Sequence, residues 1–167
     1  TAFVPDSRPT AGNNLINAAQ FMHTLKQRLI LFSTVEGAGN TQYAQRARWS
    51  KILSPAAAGS NWDEVTPGNG GYSDAPTSDV IISTVEFQDQ IIVYFTNSTW
   101  AFVPTSDPAL PFRWKRLNNF RSSDAPYGTI GYDRFAISLG IRGVFGTDGI
   151  EVKRIDEGIQ DFILDEV

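Results

Sequence analysis

The stretch that most constrains the fold is residues 80–103, which read VIISTVEFQDQIIVYFTNSTWAFV. It holds three apolar runs separated by two short polar turns. Each run is rich in β-branched and aromatic residues and is too short for a helix, so the pattern predicts three consecutive antiparallel strands. The middle run, residues 91–95, is apolar or aromatic at every position. The strand that it predicts must therefore be covered on both faces.

Two other segments, residues 25–33 and 131–139, show the same order of features as this stretch. Each has a polar turn, then an apolar strand, then a short turn, then a strand with an aromatic residue. Aligning the three segments makes Arg28, Gln90 and Arg134 equivalent, and the step from Gln90 to Arg134 is 44 residues. A four-stranded propeller blade has a period of about 40–50 residues. The sequence therefore predicts an all-β, β-propeller-like fold that forms part of a larger propeller. Its three degenerate four-stranded antiparallel blades are expected at residues 14–65, 79–117 and 128–167.

An aromatic residue follows each of the three aligned positions on the next predicted strand. These residues are Trp49, Trp100 and Phe145, and the repeat predicts that they occupy equivalent core positions in successive blades. In the strand around Trp49, Arg46 and Arg48 alternate with apolar residues. Because neighbouring strand residues point to opposite faces, this alternation predicts one packed face and one wet face.

Residues 55–78 are predicted to be a long surface loop, because glycine, proline and serine are frequent there. Trp62, Val65 and Tyr72 are expected to anchor this loop to the body of the protein. Lengthening a flexible loop costs only about 0.6 kcal/mol per doubling of its length. We therefore expect an insertion of glycine and serine at Asn69 to leave folding intact.

The composition fits an ordinary globular chain, with 41% hydrophobic and 19% charged residues. It contains no cysteine, which excludes disulfides and thiolate chemistry. The longest apolar run is about five residues, so no membrane association is expected. Residues 151–167 carry six acidic and two basic side chains and account for the whole net charge of −4. A nucleic-acid-binding protein would normally have a basic surplus instead.

Both ends of the sequence suggest that other strands complete the fold. Position 1 is not methionine, and an apolar run at residues 162–164 lies close to the last residue. Closed propellers normally have at least four blades. We therefore expect the missing blades to come from a longer polypeptide or from neighbouring subunits, and we expect that the isolated chain will not remain a folded monomer. Its open sheet faces are expected to be lined by Ile91, Val93, Phe135 and Ile137.

The residue pattern contains no convincing catalytic, cofactor-binding or metal site. His23 is the only histidine and falls on a predicted apolar strand, which favours a packed side chain. Adjacent carboxylates, such as Asp63 with Glu64, point to opposite faces of a strand and do not form a glycosidase pair. The sequence also lacks a phosphate-binding glycine motif. It therefore predicts that the protein is not an enzyme.

Residues 112–117, FRWKRL, alternate aromatic and basic side chains. Such a strand could contact single-stranded nucleic acid, or its basic residues could face solvent or the acidic groups of a neighbouring subunit. The loop at 55–78 adds further exposed aromatic candidates, and Trp62, Tyr72, Trp100 and Trp114 could stack on a ligand in a cleft. The candidate ligand or interface residues are Trp62, Tyr72, Arg113, Trp114, Lys115 and Arg116.

Several segments together resemble the β-propeller of tail proteins from tailed bacteriophages. They are RLILF at residues 28–32, QRARWS at 45–50, residues 80–102 with the hairpin FQDQIIVYFTNSTW at 87–100, FRWKRL at 112–117, and GVFGTDGI at 143–150 followed by RIDEGI at 154–159. The group includes the nozzle, or tail tubular B, proteins of short-tailed phages and hub-like virion proteins. The resemblance covers most of residues 20–165.

The resemblance implies a structural virion protein without catalytic residues, in a tail nozzle or hub propeller that flanks the DNA ejection channel. It also implies that the protein is made in the bacterial cytoplasm of the host and resides in the phage tail. The expected partners are identical subunits in a ring and other tail or portal proteins, with passing DNA touched only non-specifically. An acidic wall at residues 151–167 would repel the duplex and let it slide. The alternative is a carbohydrate- or receptor-binding propeller module, and a propeller hydrolase is a weaker third reading.

Overall fold

A computed structural model of the chain describes residues 16–55, 61–64, 66, 68–120 and 123–156. These residues form twelve β-strands arranged in three four-stranded antiparallel sheets, each in sequence order: β1–β4, β5–β8 and β9–β12. The prediction of an all-β fold with three four-stranded blades is therefore confirmed. The strands are β1 (Ile16–Leu25), β2 (Arg28–Glu36), β3 (Thr41–Trp49), β4 (Gly71–Asp74), β5 (Ile81–Phe87), β6 (Gln90–Phe95), β7 (Thr99–Pro104), β8 (Phe112–Asn118), β9 (Thr129–Tyr132), β10 (Phe135–Gly140), β11 (Gly143–Thr147) and β12 (Val152–Arg154).

The chain divides into two compact units. The first comprises Thr1–Ser78 and Pro104–Arg113, and it contains the β1–β4 sheet. The second comprises Asp79–Val103 and Trp114–Val167. It contains β5 and β6, most of β7 and of β8, and the whole β9–β12 sheet.

The first sheet begins with a tight hairpin between β1 and β2. Leu25 pairs with Arg28, which leaves Lys26 and Gln27 as a two-residue turn. Both turn residues have positive φ values, 48° and 62°, as a type I′ turn requires. This turn matches the right-handed twist of the flanking strands and fixes the register of the sheet.

The fourth strand of the first sheet lies where the sequence predicted a loop. Gly71–Asp74 forms β4 and pairs with the residues of β3 from Arg46 to Trp49. The prediction of a loop throughout residues 55–78 is therefore wrong at this strand. A Cβ at Gly71 would lie 2.9 Å from the indole ring of Trp49, so the glycine permits a close approach of strand and ring.

The turn before β4 is held by a buried arginine. The Arg28 guanidinium donates hydrogen bonds to the carbonyl oxygens of Ser50 (2.6 Å), Asn69 (2.8 Å) and Gly68 (3.2 Å). Burial lowers the pKa of Arg28 from its ordinary value. A Cβ at Gly70 would lie 2.4 Å from the Cα of Trp62. Residues 68–70 are thus a packed part of the first unit.

This packing reverses the expectation for an insertion at Asn69. Adding Gly-Ser there should pull the carbonyl oxygens of Gly68 and Asn69 away from the Arg28 guanidinium. The buried cation would keep only the Ser50 carbonyl oxygen as an acceptor, which costs about 1–3 kcal/mol. Urea unfolding monitored by tryptophan fluorescence measures this loss. The same insertion between Pro108 and Ala109, in an exposed turn, serves as the control and should have a much smaller effect. Equal effects of the two insertions would contradict the role of Arg28.

The second unit contains a core between the β5–β8 and β9–β12 sheets. Residues 91–95 of β6 are all buried, which confirms that this strand is covered on both faces. One of its faces contributes Ile92 and Tyr94 to a cluster that includes Ala136 of β10. On β9, a Cβ at Gly131 would lie 2.8 Å from the Glu86 carbonyl oxygen, so the glycine allows the two sheets to approach closely.

The three aromatic residues of the predicted repeat are all buried, but only two of them are equivalent. Trp100 and Phe145 each lie opposite the fourth residue of the preceding strand, whereas Trp49 lies opposite the third. Trp49 therefore points to the other face of its sheet. In the first sheet the fourth position is occupied by Arg48. The prediction of equivalent core positions is confirmed for Trp100 and Phe145 and wrong for Trp49.

Candidate interaction surfaces

The aromatic residues predicted to stack on a ligand are largely engaged within the protein. Trp62 is buried and packs with Leu31 over the first sheet. Tyr72, on β4, is half exposed, but its ring lies over the Arg46 guanidinium at 3.9 Å. Trp100, on β7, is buried too. The expected exposure of Trp62 and Trp100 is therefore wrong, because each indole fills space against its own sheet.

A network of buried charges lies on the first sheet. Glu36 accepts hydrogen bonds from the guanidinium groups of Arg46 and Arg48, each at 3.2 Å, and from the Thr34 hydroxyl at 2.7 Å. Arg46 also forms a bidentate pair with Asp74, at 2.7 and 2.9 Å. Glu36, Arg46 and Arg48 are all buried. The wet face expected for Arg46 and Arg48 is therefore wrong, because Glu36 neutralises them inside the protein.

The network stabilises two cations that would otherwise be costly to bury. Burial alone would lower the pKa of Arg46, but its hydrogen bond to Asp74 and the charges of Glu36 and Asp74 raise that pKa overall. The Tyr43 ring also lies 3.6 Å from the Arg46 guanidinium carbon, a favourable cation–π distance. Both carboxylate oxygens of Glu36 and both of Asp74 are engaged in these contacts. The arrangement therefore holds β2, β3 and β4 in register.

The outer strand β8 carries the predicted basic residues. Arg113, Lys115 and Arg116 are exposed, and none of them forms an ion pair within the part of the chain that the structure describes. Arg116 lies over the Trp100 ring at 5.0 Å. Trp114 is half-buried and packs against Phe102, with 4.8 Å between ring centroids. Trp114 is thus a packing residue, and the basic residues remain available to solvent or an acidic partner.

The outer face of the β9–β12 sheet carries several exposed apolar side chains. Two residue pairs of β9 and β10 lie on this face, Tyr132 with Phe135 and Ile130 with Ile137. The opposite face packs against the β5–β8 sheet through Ala136. Ile155 belongs to the outer face too, because a Cβ at Gly146, which pairs with Ile137, would lie 3.2 Å from the Ile155 side chain. The strongly exposed apolar side chains of this face are Ile130 (61%), Tyr132 (70%), Phe135 (50%), Leu139 (48%) and Ile155 (55%).

The sequence alone predicted only two residues of this outer face. Phe135 and Ile137 were expected on an open sheet face, and the structure places both on the outer face, with Phe135 exposed and Ile137 half-buried. Ile91 and Val93 were expected there too, but both are fully buried. The signal for the remaining residues is the alternation of large apolar side chains at positions 130, 132, 135, 137 and 139 across a two-residue turn.

The rim of this outer face carries charges of both signs. At the hairpin tip, Asp133 and Arg134 are more than four-fifths exposed and lie 3.8 Å apart. At the opposite edge of the sheet, Glu151 forms an ion pair with Lys153 of β12. Near the end of the described chain, Arg154 donates a hydrogen bond of 2.6 Å to Asp156 and lowers the pKa of that carboxyl group.

These pairs bear on the acidic segment predicted at residues 151–167. In its described part, residues 151–156, two acidic and two basic side chains pair and leave no net charge. The four remaining acidic residues lie outside the described residues. The idea of an acidic wall therefore rests on residues 157–167.

His23 lies on β1 and is half-buried. Its ring meets the Phe32 ring edge to face, with centroids 6.2 Å apart and an angle of 69°. Burial lowers the pKa of His23. The side chain behaves as the packed histidine that the sequence predicts. Within the described ranges, no group of three or more His, Cys, Asp or Glu side chains could hold a metal ion.

Tyr94 offers a pH-dependent test of the core between the two sheets of the second unit. Its hydroxyl lies near that of Ser138, but their geometry makes no hydrogen bond. Burial raises the pKa of Tyr94 to about 12. Because the unfolded chain ionises near pH 10, the stability held by neutral Tyr94 is complete below that pH and is lost as the pH rises through about 12.

We therefore expect Tyr94→Phe to resist alkali better than the wild type. Between pH 10 and 12 the wild type should lose about 2–3 kcal/mol relative to the variant, at 1.36 kcal/mol per pKa unit. Urea unfolding of both proteins across this range measures the difference, and at pH 7 the two should be of similar stability. Parallel pH profiles would show that Tyr94 is not buried in the folded protein.

Comparison with known proteins gives no family assignment. No protein-family model matches the chain, and no curated protein matches it. Among the described residues, no helix is long and apolar enough to cross a membrane.

Proposed function

We propose that this chain is a structural virion protein of a tailed bacteriophage, part of the tail nozzle or hub propeller that flanks the DNA ejection channel. The observation that carries the proposal is the exposed apolar outer face of the β9–β12 sheet. Its five strongly exposed apolar side chains are typical of a surface that another protein covers. Together with three blade-like sheets, this face supports a role in assembly.

The partners of such a protein are identical subunits in a ring and other tail or portal proteins. Each blade of a propeller packs its faces against neighbouring blades, and closed propellers have about four to eight blades. Three sheets therefore leave room for blades from elsewhere. DNA would pass the ring without specific contacts, since recognition of base edges needs side chains placed in a groove. The site of action is the virion, after synthesis in the host bacterial cytoplasm.

The four aromatic residues expected to line a sugar-binding cleft do not favour a carbohydrate- or receptor-binding role. Sugar recognition by stacking needs aromatic rings with a free face. Trp62 and Trp100 are buried, the Tyr72 ring lies over Arg46, and Trp114 packs against Phe102. The structural role therefore remains the better proposal.

Mass spectrometry of purified particles tests the proposal. Virions from the source of the sequence would be banded on a density gradient, stripped of loosely bound protein with salt and digested. We expect peptides of this chain to co-purify with the tail proteins in a constant ratio, and to remain after the salt wash. A chain that is recovered only from the soluble cell extract would contradict a virion role.

A further inference from the structure

The outer face of the β9–β12 sheet is large enough to form the centre of an interface. Its five exposed side chains present roughly 500 Å² of apolar surface, given about 150–250 Å² for each fully exposed aromatic side chain and somewhat less for isoleucine or leucine. The largest apolar patch on a typical monomer is about 300–600 Å². A stable interface buries about 800 Å² on each partner, with an apolar centre and a polar rim.

The charges around this face suit a copy of the same face. In a two-fold contact the same surface serves both partners, so a rim that carries both signs of charge can place opposite charges next to each other. The hairpin tip supplies one charge of each sign, Asp133 and Arg134, both exposed. Glu151 and Lys153 supply a second such pair beside β12. A rim of a single sign would repel its own copy, whereas this mixed rim can pair with it.

We propose that, in the free protein, the outer face of the β9–β12 sheet packs against the same face of a second copy of this chain. The apolar side chains of the two sheets form the dry centre of the pair, and the hairpin tips with their opposite charges lie at its rim. The inference goes beyond the proposed function, because the pair forms in solution without any other tail protein. Dimer formation covers an apolar face that would otherwise promote aggregation.

Sedimentation velocity of the complete 167-residue chain over a range of concentrations tests this inference. The expected result is a reversible dimer. The double variant Tyr132→Ser/Phe135→Ser changes two residues that pair across β9 and β10 and that are 70% and 50% exposed. It should raise the dissociation constant about tenfold or more. At protein concentrations at which both proteins are monomeric, the urea midpoint of the variant should stay close to that of the wild type, because neither side chain is in the core.

The matched control is Leu53→Ser, which removes an equally exposed apolar side chain (75%) from the first unit. This variant should dimerise like the wild type. A monomeric wild-type chain, or a double variant that dimerises as tightly as the wild type, would overturn the proposal. So would a full-length monomer that becomes a dimer when the chain is cut after Asp156, since residues 157–167 would then be the occupant of the face. Dimers in solution with no chain found in virions would contradict only the proposed function.

Discussion

Replacing Glu36 with alanine is expected to lower the free energy of unfolding by about 3–5 kcal/mol, the usual cost of leaving a buried charge without its partner. Glu36 is 3% exposed, and it alone contacts the guanidinium groups of both Arg46 and Arg48. The Arg48 Nε already lacks a hydrogen-bond partner among the described residues. Without the carboxylate, Arg46 and Arg48, two residues apart on β3, would lie side by side without the anion that they share.

Urea unfolding of the wild type and of Glu36→Ala measures this cost. The matched control is Asp74→Ala, which removes the other carboxylate from Arg46 at a position where the side chain is 36% exposed. Solvent screens that pair, so the control should cost about 1 kcal/mol. Glu36→Gln retains the acceptor oxygen and should fall between the two alanine variants. A Glu36→Ala variant as stable as Asp74→Ala would show that the buried network is not formed in solution.

Trp100→Ala is expected to cost about 3–5 kcal/mol, the usual range for deleting a buried aromatic side chain. The indole is 4% exposed and lies edge to face with Phe95, at 6.3 Å between centroids. Its Nε1 donates a hydrogen bond of 2.9 Å to the Ser98 hydroxyl. The substitution removes the packing and leaves a cavity that the rigid sheet cannot close.

Thermal or urea unfolding of the second unit measures the effect of Trp100→Ala. Trp114→Ala is the control, since it deletes the same side chain at a half-buried position of β8. The control should lose clearly less stability than Trp100→Ala. If the two variants lose the same amount, Trp100 does not occupy the core position that the register assigns to it.

The sequence predicted the strands that local pattern alone determines. Residues 80–103 become β5, β6 and β7 because β-branched and aromatic runs between polar turns have no other low-energy arrangement. The register of the repeat was harder to predict. Arg134 was aligned with the first strand residues Arg28 and Gln90, but it lies in the turn and its strand begins at Phe135. The sequence alone does not tell whether a charged residue next to a turn belongs to the turn or to the strand that follows it.

The buried charges could not be predicted from local pattern. Arg46 and Arg48 alternate with apolar residues just as solvent-facing residues do, and Glu36 lies on another strand. Only the pairing of β2 with β3 brings the carboxylate to the two guanidinium groups. The strand β4 was not predicted for a related reason. Its first residue, Gly71, leaves room for the Trp49 ring, but in the sequence a glycine indicates a loop.

The interaction surface was partly predictable. The alternation of large apolar residues in β9 and β10 places them, with Phe135 and Ile137, on one face of the sheet. Which of the two faces remains open depends on the packing of Ala136 against the neighbouring sheet. That contact joins residues more than forty positions apart in sequence, from β6 to β10, and no local pattern determines it.

We propose that the chain acts as a structural subunit of a phage tail. Immunogold electron microscopy of purified particles tests it most directly, with antibodies raised against the 167-residue chain and particles pre-treated with excess free chain as the control. We predict gold at the tail of intact particles, at one position along the tail axis, and none in the presence of the free chain. Gold that is absent from particles, or spread evenly over the capsids, would contradict the account.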